Sequence, residues 1–305
     1  MPTNGLHSEE PKHVSTTLNF RLDPALGGHT TYKAATAGYF RLKFDVQEVT
    51  IYDGRGREGD FRLSTHGFQY HKHPPAKVDY QDPDQIKQVV YPETIELMKE
   101  VTGATEVHIY SHLVRQDSRE KTDALIKEQE NLADDDPAPQ VGPARFVHID
   151  VSDVGAEQML YQNLSPDIAK KLSSTRWAII NLWRPIKTVT KDPLCMCDIR
   201  TCRDEDLITM PVLLPPKGSG KLANVSRGDD VEIMVMKHHP EQEWHYISRM
   251  EPDETLLIKC WDSLRDGHTA RRTPHTSFID PATQDDPVRE SVEVRCLVFY
   301  EDQPL

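Results

Sequence analysis

His148-Ile149-Asp150 closes the apolar run that begins at Phe146. Side chains two residues apart on an extended segment point to the same side of a sheet, so His148 and Asp150 can reach one metal ion together while Ile149 faces away. His275, far downstream after Pro274, offers a third donor if the fold brings it back. Two imidazoles and one carboxylate on one face of an ion leave the opposite face open, the arrangement used by non-haem Fe(II) oxygenases. The tripeptide alone carries little weight, because a chain with 14 histidines and 49 acidic residues contains such pairs by accident.

The segment after His275 adds the weight. Arg289 and Ser291 open an alternating run through Phe299 that reads as a strand, with Arg289, Ser291, Glu293 and Arg295 on one face and Val292, Val294, Cys296 and Val298 on the other. A planar guanidinium beside a hydroxyl suits a two-point grip on a carboxylate, and the distal carboxylate of 2-oxoglutarate is the obvious candidate. The competing reading pairs Arg289 and Arg295 with Glu290 and Glu293 as a solvated charge ladder. The joint occurrence of the histidine, the interval and the Arg-x-Ser favours the first.

Other metal or thiol sites read less well. His238, His239 and His245 cluster in sequence and His108 and His112 lie four apart, but neither set has a carboxylate in a strand context. His71 and His73 flank Pro74-Pro75 to no clearer purpose. Ordinary hydrogen-bonded or surface histidines are expected there. Five cysteines form no paired framework, and Cys195-Met196-Cys197 with Cys202 lacks the spacing of zinc knuckles.

The elements that must position these groups are strands. Alternating, β-branched residues from Tyr39 to Tyr52 end at the turn Asp53-Gly54, and Ala178 to Pro185, Val231 to Met236 and Thr255 to Trp261 read as further strands. Pro92 to Val101 reads as a helix with Gly103 as its stop, and helical patterning recurs between Ala156 and Leu172, with Met159, Leu160 and Ile168 covering a sheet face. Residues 1–16 are polar and read as a loose leader, leaving 17–305 as one domain whose ligands must converge. The charged stretch 117–140 reads as an inserted solvated helix and loop, and its place before His148 makes it a candidate lid.

Composition bounds the partners. A chain of 305 residues with 37% hydrophobic content can bury a substantial core, and a net charge of −13 without basic runs argues against nucleic acid. No apolar stretch reaches membrane-spanning length and the first residues lack signal-peptide character, so a cytoplasmic protein is expected. The expected partner is a small-molecule substrate, and a homodimer is compatible with the sequence.

Over Thr17 to Tyr300 the chain resembles the hydroxylase/desaturase family that includes the gibberellin desaturase and the small protein of the cephamycin methoxylation system. The resemblance rests on Val49-Thr50-Ile51-Tyr52-Asp53-Gly54-Arg55-Gly56, His66-Gly67-Phe68, Val147 to Asp150, Asn181 to Ile186, Pro252 to Glu254, Trp261 to Ser263, Pro274 to Phe278, and Pro287 to Arg295. It implies a mainly β fold with added helices, built on a double-stranded β-helix (jelly-roll) core. It also implies Fe(II) held by His148, Asp150 and His275, with 2-oxoglutarate and O2 as cosubstrates. The implied activity is hydroxylation or desaturation of a small secondary-metabolite intermediate. Arg184, a fixed charge after a buried strand, is placed by the resemblance near the active site with Arg289 and Ser291, binding cosubstrate or substrate. Trp183, Tyr246 and Arg295 are the candidates for substrate contact, although Tyr246, Lys259 and Asp262 could instead satisfy one another at a barrel rim. A cupin-like iron oxygenase or isomerase without 2-oxoglutarate, and a non-catalytic partner subunit, remain as alternatives.

Overall fold

The computed structural model of the chain describes residues 12–305 except 130, 219–221, 223–224 and 226–227. Its strands are β1 His13–Arg21, β2 Tyr32–Lys33, β3 Phe44–Asp53, β4 Phe68–Lys72, β5 Glu106–Arg115, β6 His148–Ile149, β7 Arg176–Pro185, β8 Leu194–Cys197, β9 Leu207–Leu213, β10 Val231–Met236, β11 Trp244–Tyr246, β12 Glu254–Asp262, β13 His275–Ser277 and β14 Ser291–Tyr300. The helices are α1 Ala37–Phe40, α2 Pro83–Gln85, α3 Tyr91–Thr102, α4 Arg119–Glu128, α5 Asp153–Asn163 and α6 Pro166–Leu172.

Two sheets face each other. One runs β1-β3-β11-β8-β13-β6-β10-β9-β2, the other β4-β12-β7-β14-β5. Side chains from both meet between them: Met196, Val212 and Ile233 from the larger sheet, and Phe68, Ile179, Trp183, Ile258, Leu297 and Phe299 from the smaller. This is the double-stranded β-helix, and its interior holds the site described below.

Alternation along β7 and β14 decides what each residue sees. On β7, Ile179 and Trp183 turn into the interior while Ala178, Ile180 and Leu182 face a second layer with Leu97 and Met98 of α3. On β14, Leu297 and Phe299 face inward and Val292, Val294, Cys296 and Val298 outward, the split expected from the sequence. The inward positions earlier on β14 are Ser291, Glu293 and Arg295, so the interior is apolar at one end and polar at the other. Register shifts opposite Cys260 on β12 and Tyr110 on β5 bend both strands beside that polar end.

Helix α3 follows its sequence signals: Pro92 lies in the first turn, and Gly103 takes the left-handed conformation and donates its N–H to Lys99 O. Three expectations are corrected. Strand β1 begins at His13 and pairs with β3 from there, so residues 13–16 are not leader; residues 1–11 lie outside the described chain. Tyr39 and Phe40 are helical, because the Thr36 hydroxyl accepts from Tyr39 N and starts α1 before β3 begins at Phe44. The helical stretch divides at Ser165-Pro166 into α5 and α6, and Ile168 is exposed rather than covering a sheet.

Two glycines allow close approaches near the site. A side chain on Gly155 in α5 would meet Glu232 O at 2.0 Å, so glycine lets the helix that follows Asp150 lie directly on β10. Gly67, at φ +84°, sits where a Cβ would strike the Thr273 hydroxyl at 2.0 Å, just before His275.

Candidate metal centre

β6 lies between β10 and β13, and His275 pairs directly across from His148. Residues facing each other on neighbouring strands bring their side chains together, and the two imidazole centroids lie 4.5 Å apart. Asp150 follows His148 by one strand period. Its Oδ1 lies 3.4 Å from His148 Nε2 and 3.9 Å from His275 Nε2. Ligand atoms about 2.1 Å from one ion at right angles lie about 3 Å apart, so the three converge as a metal needs.

The second nitrogens of both rings are committed. His148 Nδ1 lies 2.8 Å from Phe146 O, and His275 Nδ1 lies 3.1 Å from Thr273 O. A carbonyl only accepts, so each Nδ1 carries the proton and each Nε2 presents its lone pair inward. Phe146 also stacks on the His148 ring at 4.6 Å. Burial and neighbouring His148 both hold His275 below the ordinary histidine range, toward the neutral form a metal requires. Burial would raise the Asp150 carboxyl, but Arg295 outweighs it and holds the group well below the usual range. The donor set is chemically apt for Fe(II).

Arg289 is buried and lacks an acid. Among the described residues no carboxylate lies within ion-pair distance of it. Its neighbour Glu290 pairs instead with Lys187, and the nearby Asp192 carboxylate is held by Arg145 through Nε at 3.0 Å. The guanidinium lies over Trp183, 5.6 Å from the ring centroid; its NH1 donates to Asp192 O at 2.8 Å, and its Nε has no partner. Burial and then Arg115 push its pKa down to about 10, so the cation is held where an anion would relieve it. The same Asp192 carbonyl lies 3.4 Å from the Ser277 hydroxyl, and Ser277 stands two residues, about 7 Å, beyond His275 on β13. Ser291, two residues after Arg289, is buried at the start of β14.

A cavity of ≈ 140 Å³ opens from His148 and Asp150. Tyr32, Phe146, Val212 and Ile233 make its apolar wall, and Arg115 and Arg295 add cations. Arg295 is partly engaged, donating to Glu293 Oε1 at 2.6 Å and lying 3.9 Å from Asp150 Oδ2. The ladder of Arg295 with Glu293 therefore exists, but it is largely buried rather than solvated. The charged stretch 117–140 packs on the segment that carries the cavity-lining Ala35 and Tyr39: Ala37 N and Gly38 N donate to Asp136 O and Asp134 O, and Ala138 N donates to Ala35 O.

Two expected site residues lie elsewhere, and a third serves the site from behind. Arg184 has the outward parity of Ile180 and Leu182, and its NH2 meets Glu93 Oε1 and His73 Nδ1, both at 3.0 Å, against α3. Tyr246 packs edge-on against Phe278 in a cluster with Trp244 and Phe20, away from the triad. Trp183 does face inward, but it supports Arg289 and does not line the cavity. Lys259 and Asp262 satisfy one another at 2.8 Å, with Arg176 on the same carboxylate at 2.7 Å. Removing Arg184 leaves Glu93 without its cation. Arg184→Ala is expected to cost about 3 kcal/mol in denaturant unfolding while changing neither kcat nor the KM for 2-oxoglutarate beyond about twofold.

The competing sites resolve as ordinary chemistry. Asp198, Glu243 and His245 come within 4.8 Å of one another, but Arg200 occupies both Asp198 oxygens at 2.9 and 3.1 Å and Glu243 is exposed. Cys197 and Cys202 touch, Sγ to Sγ at 3.3 Å, and all five cysteines are free.

One residue at the triad was not singled out by sequence reasoning: Asn181 on β7 donates to Asp150 Oδ2 at 2.6 Å. Its signal was an amide in the apolar run Ala178 to Trp183, on the inward parity.

A family model described as an oxidoreductase/YMDC permease-like domain matches residues 18–299. No helix among the described residues is long and apolar enough to cross a membrane. A hydroxylase/desaturase of Cercospora beticola is 39% identical, with 99% of this chain and 91% of that protein covered. An alpha-ketoglutarate-dependent dioxygenase of Talaromyces stipitatus is 31% identical, covering 86% of this chain and 88% of that protein. Among solved structures, the iron and alpha-ketoglutarate-dependent endoperoxidase NvfI of Aspergillus novofumigatus shares the fold at a TM-score of 0.73, with 24% identity, 95% of this chain and 99% of that one covered.

Proposed function

The chain belongs to the hydroxylase/desaturase family of oxidoreductases, and from that premise we propose that it is a non-haem Fe(II)- and 2-oxoglutarate-dependent dioxygenase that hydroxylates or desaturates an apolar small molecule. The observation that carries the reading is the convergence of His148, Asp150 and His275, with both Nδ1 atoms bonded to carbonyls, beside a buried arginine that has no acid of its own.

His148, Asp150 and His275 would hold Fe(II), and Arg289 with Ser291 would take the distal carboxylate of 2-oxoglutarate. When bound, the iron supplies oxidative decarboxylation of 2-oxoglutarate by O2 and with it the power to remove hydrogen from a substrate carbon. The chain's residues set the geometry. The carbonyls of Phe146 and Thr273 fix which ring nitrogen faces the ion, and Trp183 holds the guanidinium plane from below. Tyr32, Phe146, Val212 and Ile233 exclude water and favour an apolar body, and Arg115 gives that body one polar anchor. Residues 17–305 would act as one catalytic domain with the 117–140 segment as its rim. A biosynthetic intermediate as substrate fits the relatives. The net charge of −13 without basic runs supports a small-molecule enzyme rather than a nucleic-acid binder.

The test is turnover. With Fe(II), O2 and a panel of apolar polycyclic metabolites, succinate release is expected to rise at least about tenfold over the substrate-free rate for the matching compound class. Iron binding without any consumption of 2-oxoglutarate would reject the cosubstrate and leave an iron oxygenase or isomerase of another kind.

A further inference from the structure

From Trp177 to Trp183, strand β7 is apolar on both faces except at Asn181, which is fully buried. An amide in that position costs about 1–3 kcal/mol unless its hydrogen bonds are made. Asn181 Nδ2 lies 2.6 Å from Asp150 Oδ2 and 3.5 Å from Glu293 Oε1, while its own Oδ1 has no partner among the described residues. It is thus held for what it donates. The recipient oxygen is the one turned away from the histidines, since Asp150 Oδ1 is the atom beside both Nε2 groups. Cys260 Sγ at 3.8 Å and Arg295 NH2 at 3.9 Å are the other groups near Oδ2, both too distant for a strong bond.

We propose that Asn181 is a positioning residue that ties the outer oxygen of Asp150 to the opposite sheet, so that Asp150 offers the metal a single oxygen and leaves the remaining positions for cosubstrate and O2. The inference rests on the metal reading of the triad. The physical reason for an amide is that it donates to a carboxylate without adding charge: an aspartate there would repel Asp150, and a leucine would leave Oδ2 buried with only distant partners. Asn181 also approaches Glu293, which Arg295 holds at 2.6 Å, so the metal carboxylate is linked across the interior to β14, the strand that Arg289 and Ser291 precede and open.

The test compares the full-length parent with Asn181→Leu, which keeps the branched shape and removes the donor, and Asn181→Ala, which leaves room for water. Fe(II) alone is titrated anaerobically, and Co(II) is used as a spectroscopic probe of coordination number. Loss of a hydrogen bond to a metal ligand typically weakens binding about 10–100-fold. Both variants are expected to raise the Fe(II) dissociation constant within that range and to alter the Co(II) visible spectrum, while metal-free melting curves show that each still folds cooperatively. Unchanged Fe(II) affinity and an unchanged Co(II) spectrum in both variants would overturn the proposal, and lowered metal-free melting with parental affinity would assign Asn181 a purely structural role. If the parent itself takes up no Fe(II), it is the metal reading that fails, and this inference falls with it.

Discussion

His275→Ala is expected to abolish turnover and to weaken Fe(II) binding by well over the roughly 100-fold that loss of a supporting hydrogen bond causes. His275 is one of three donors whose atoms lie within 4.8 Å of one another. Two ligands two residues apart on one extended segment cannot close a site whose third side is missing. The fold should survive the change. The imidazole is buried but neutral, and its one internal bond goes to Thr273 O, so truncation is expected to cost about 1–3 kcal/mol. Calorimetric titration with Fe(II) under argon, beside a melting curve of the metal-free variant, separates loss of the ligand from loss of the structure. Near-parental iron affinity in a folded variant would remove His275 from the site.

Arg289→Leu is expected to produce two opposite effects. At neutral pH the buried guanidinium is charged without a counterion, and its pKa of about 10 corresponds to roughly 3 kcal/mol of destabilisation relative to the unfolded chain. The sign follows from linkage. A base whose folded pKa is depressed binds fewer protons when folded, so the penalty is fully present below pH 10 and is relieved as pH rises from about 10 toward the ordinary arginine range. Replacing it with leucine of similar volume should therefore leave the unliganded protein as stable as the parent, or up to about 3 kcal/mol more stable. The KM for 2-oxoglutarate should rise on the order of 100-fold or more, because a buried charge pair with the distal carboxylate is worth about 2–5 kcal/mol when one partner is deleted. A less stable protein with an unchanged KM would show that Arg289 serves only the packing around Trp183 and Asp192.

The triad was legible because its spacing has a geometric cause. Period-two alternation puts His148 and Asp150 on one face, and the same alternation correctly divided β14 into an outward apolar face and an inward polar one. Of the readings left open for Tyr246, Lys259 and Asp262, the structure pairs Lys259 with Asp262 at a strand end, without Tyr246. The misplacement of Arg184 was a failure to apply the same rule. Its parity is that of Ile180 and Leu182, toward α3, and the acid that neutralises it, Glu93, comes from a helix distant in sequence. Tyr246 shares the parity of Trp244 and follows it into an outer cluster. Asn181 went unremarked because an amide acquires meaning only when Asp150 is seen across from it, and that neighbour belongs to the other sheet. Helix α1 escaped detection because a single hydroxyl cap at Thr36 set a short helix whose last two residues, Tyr39 and Phe40, pattern alone assigned to a strand.

The central claim is that one site holds iron through His148, Asp150 and His275 and presents 2-oxoglutarate to it from Arg289. Anaerobic addition of Fe(II) and then 2-oxoglutarate to the metal-free protein, followed by visible absorbance, tests it most directly. The expected result is a metal-to-ligand charge-transfer band that appears only when both are present and saturates at one equivalent of iron. Stoichiometric iron binding with no band at saturating 2-oxoglutarate would contradict it.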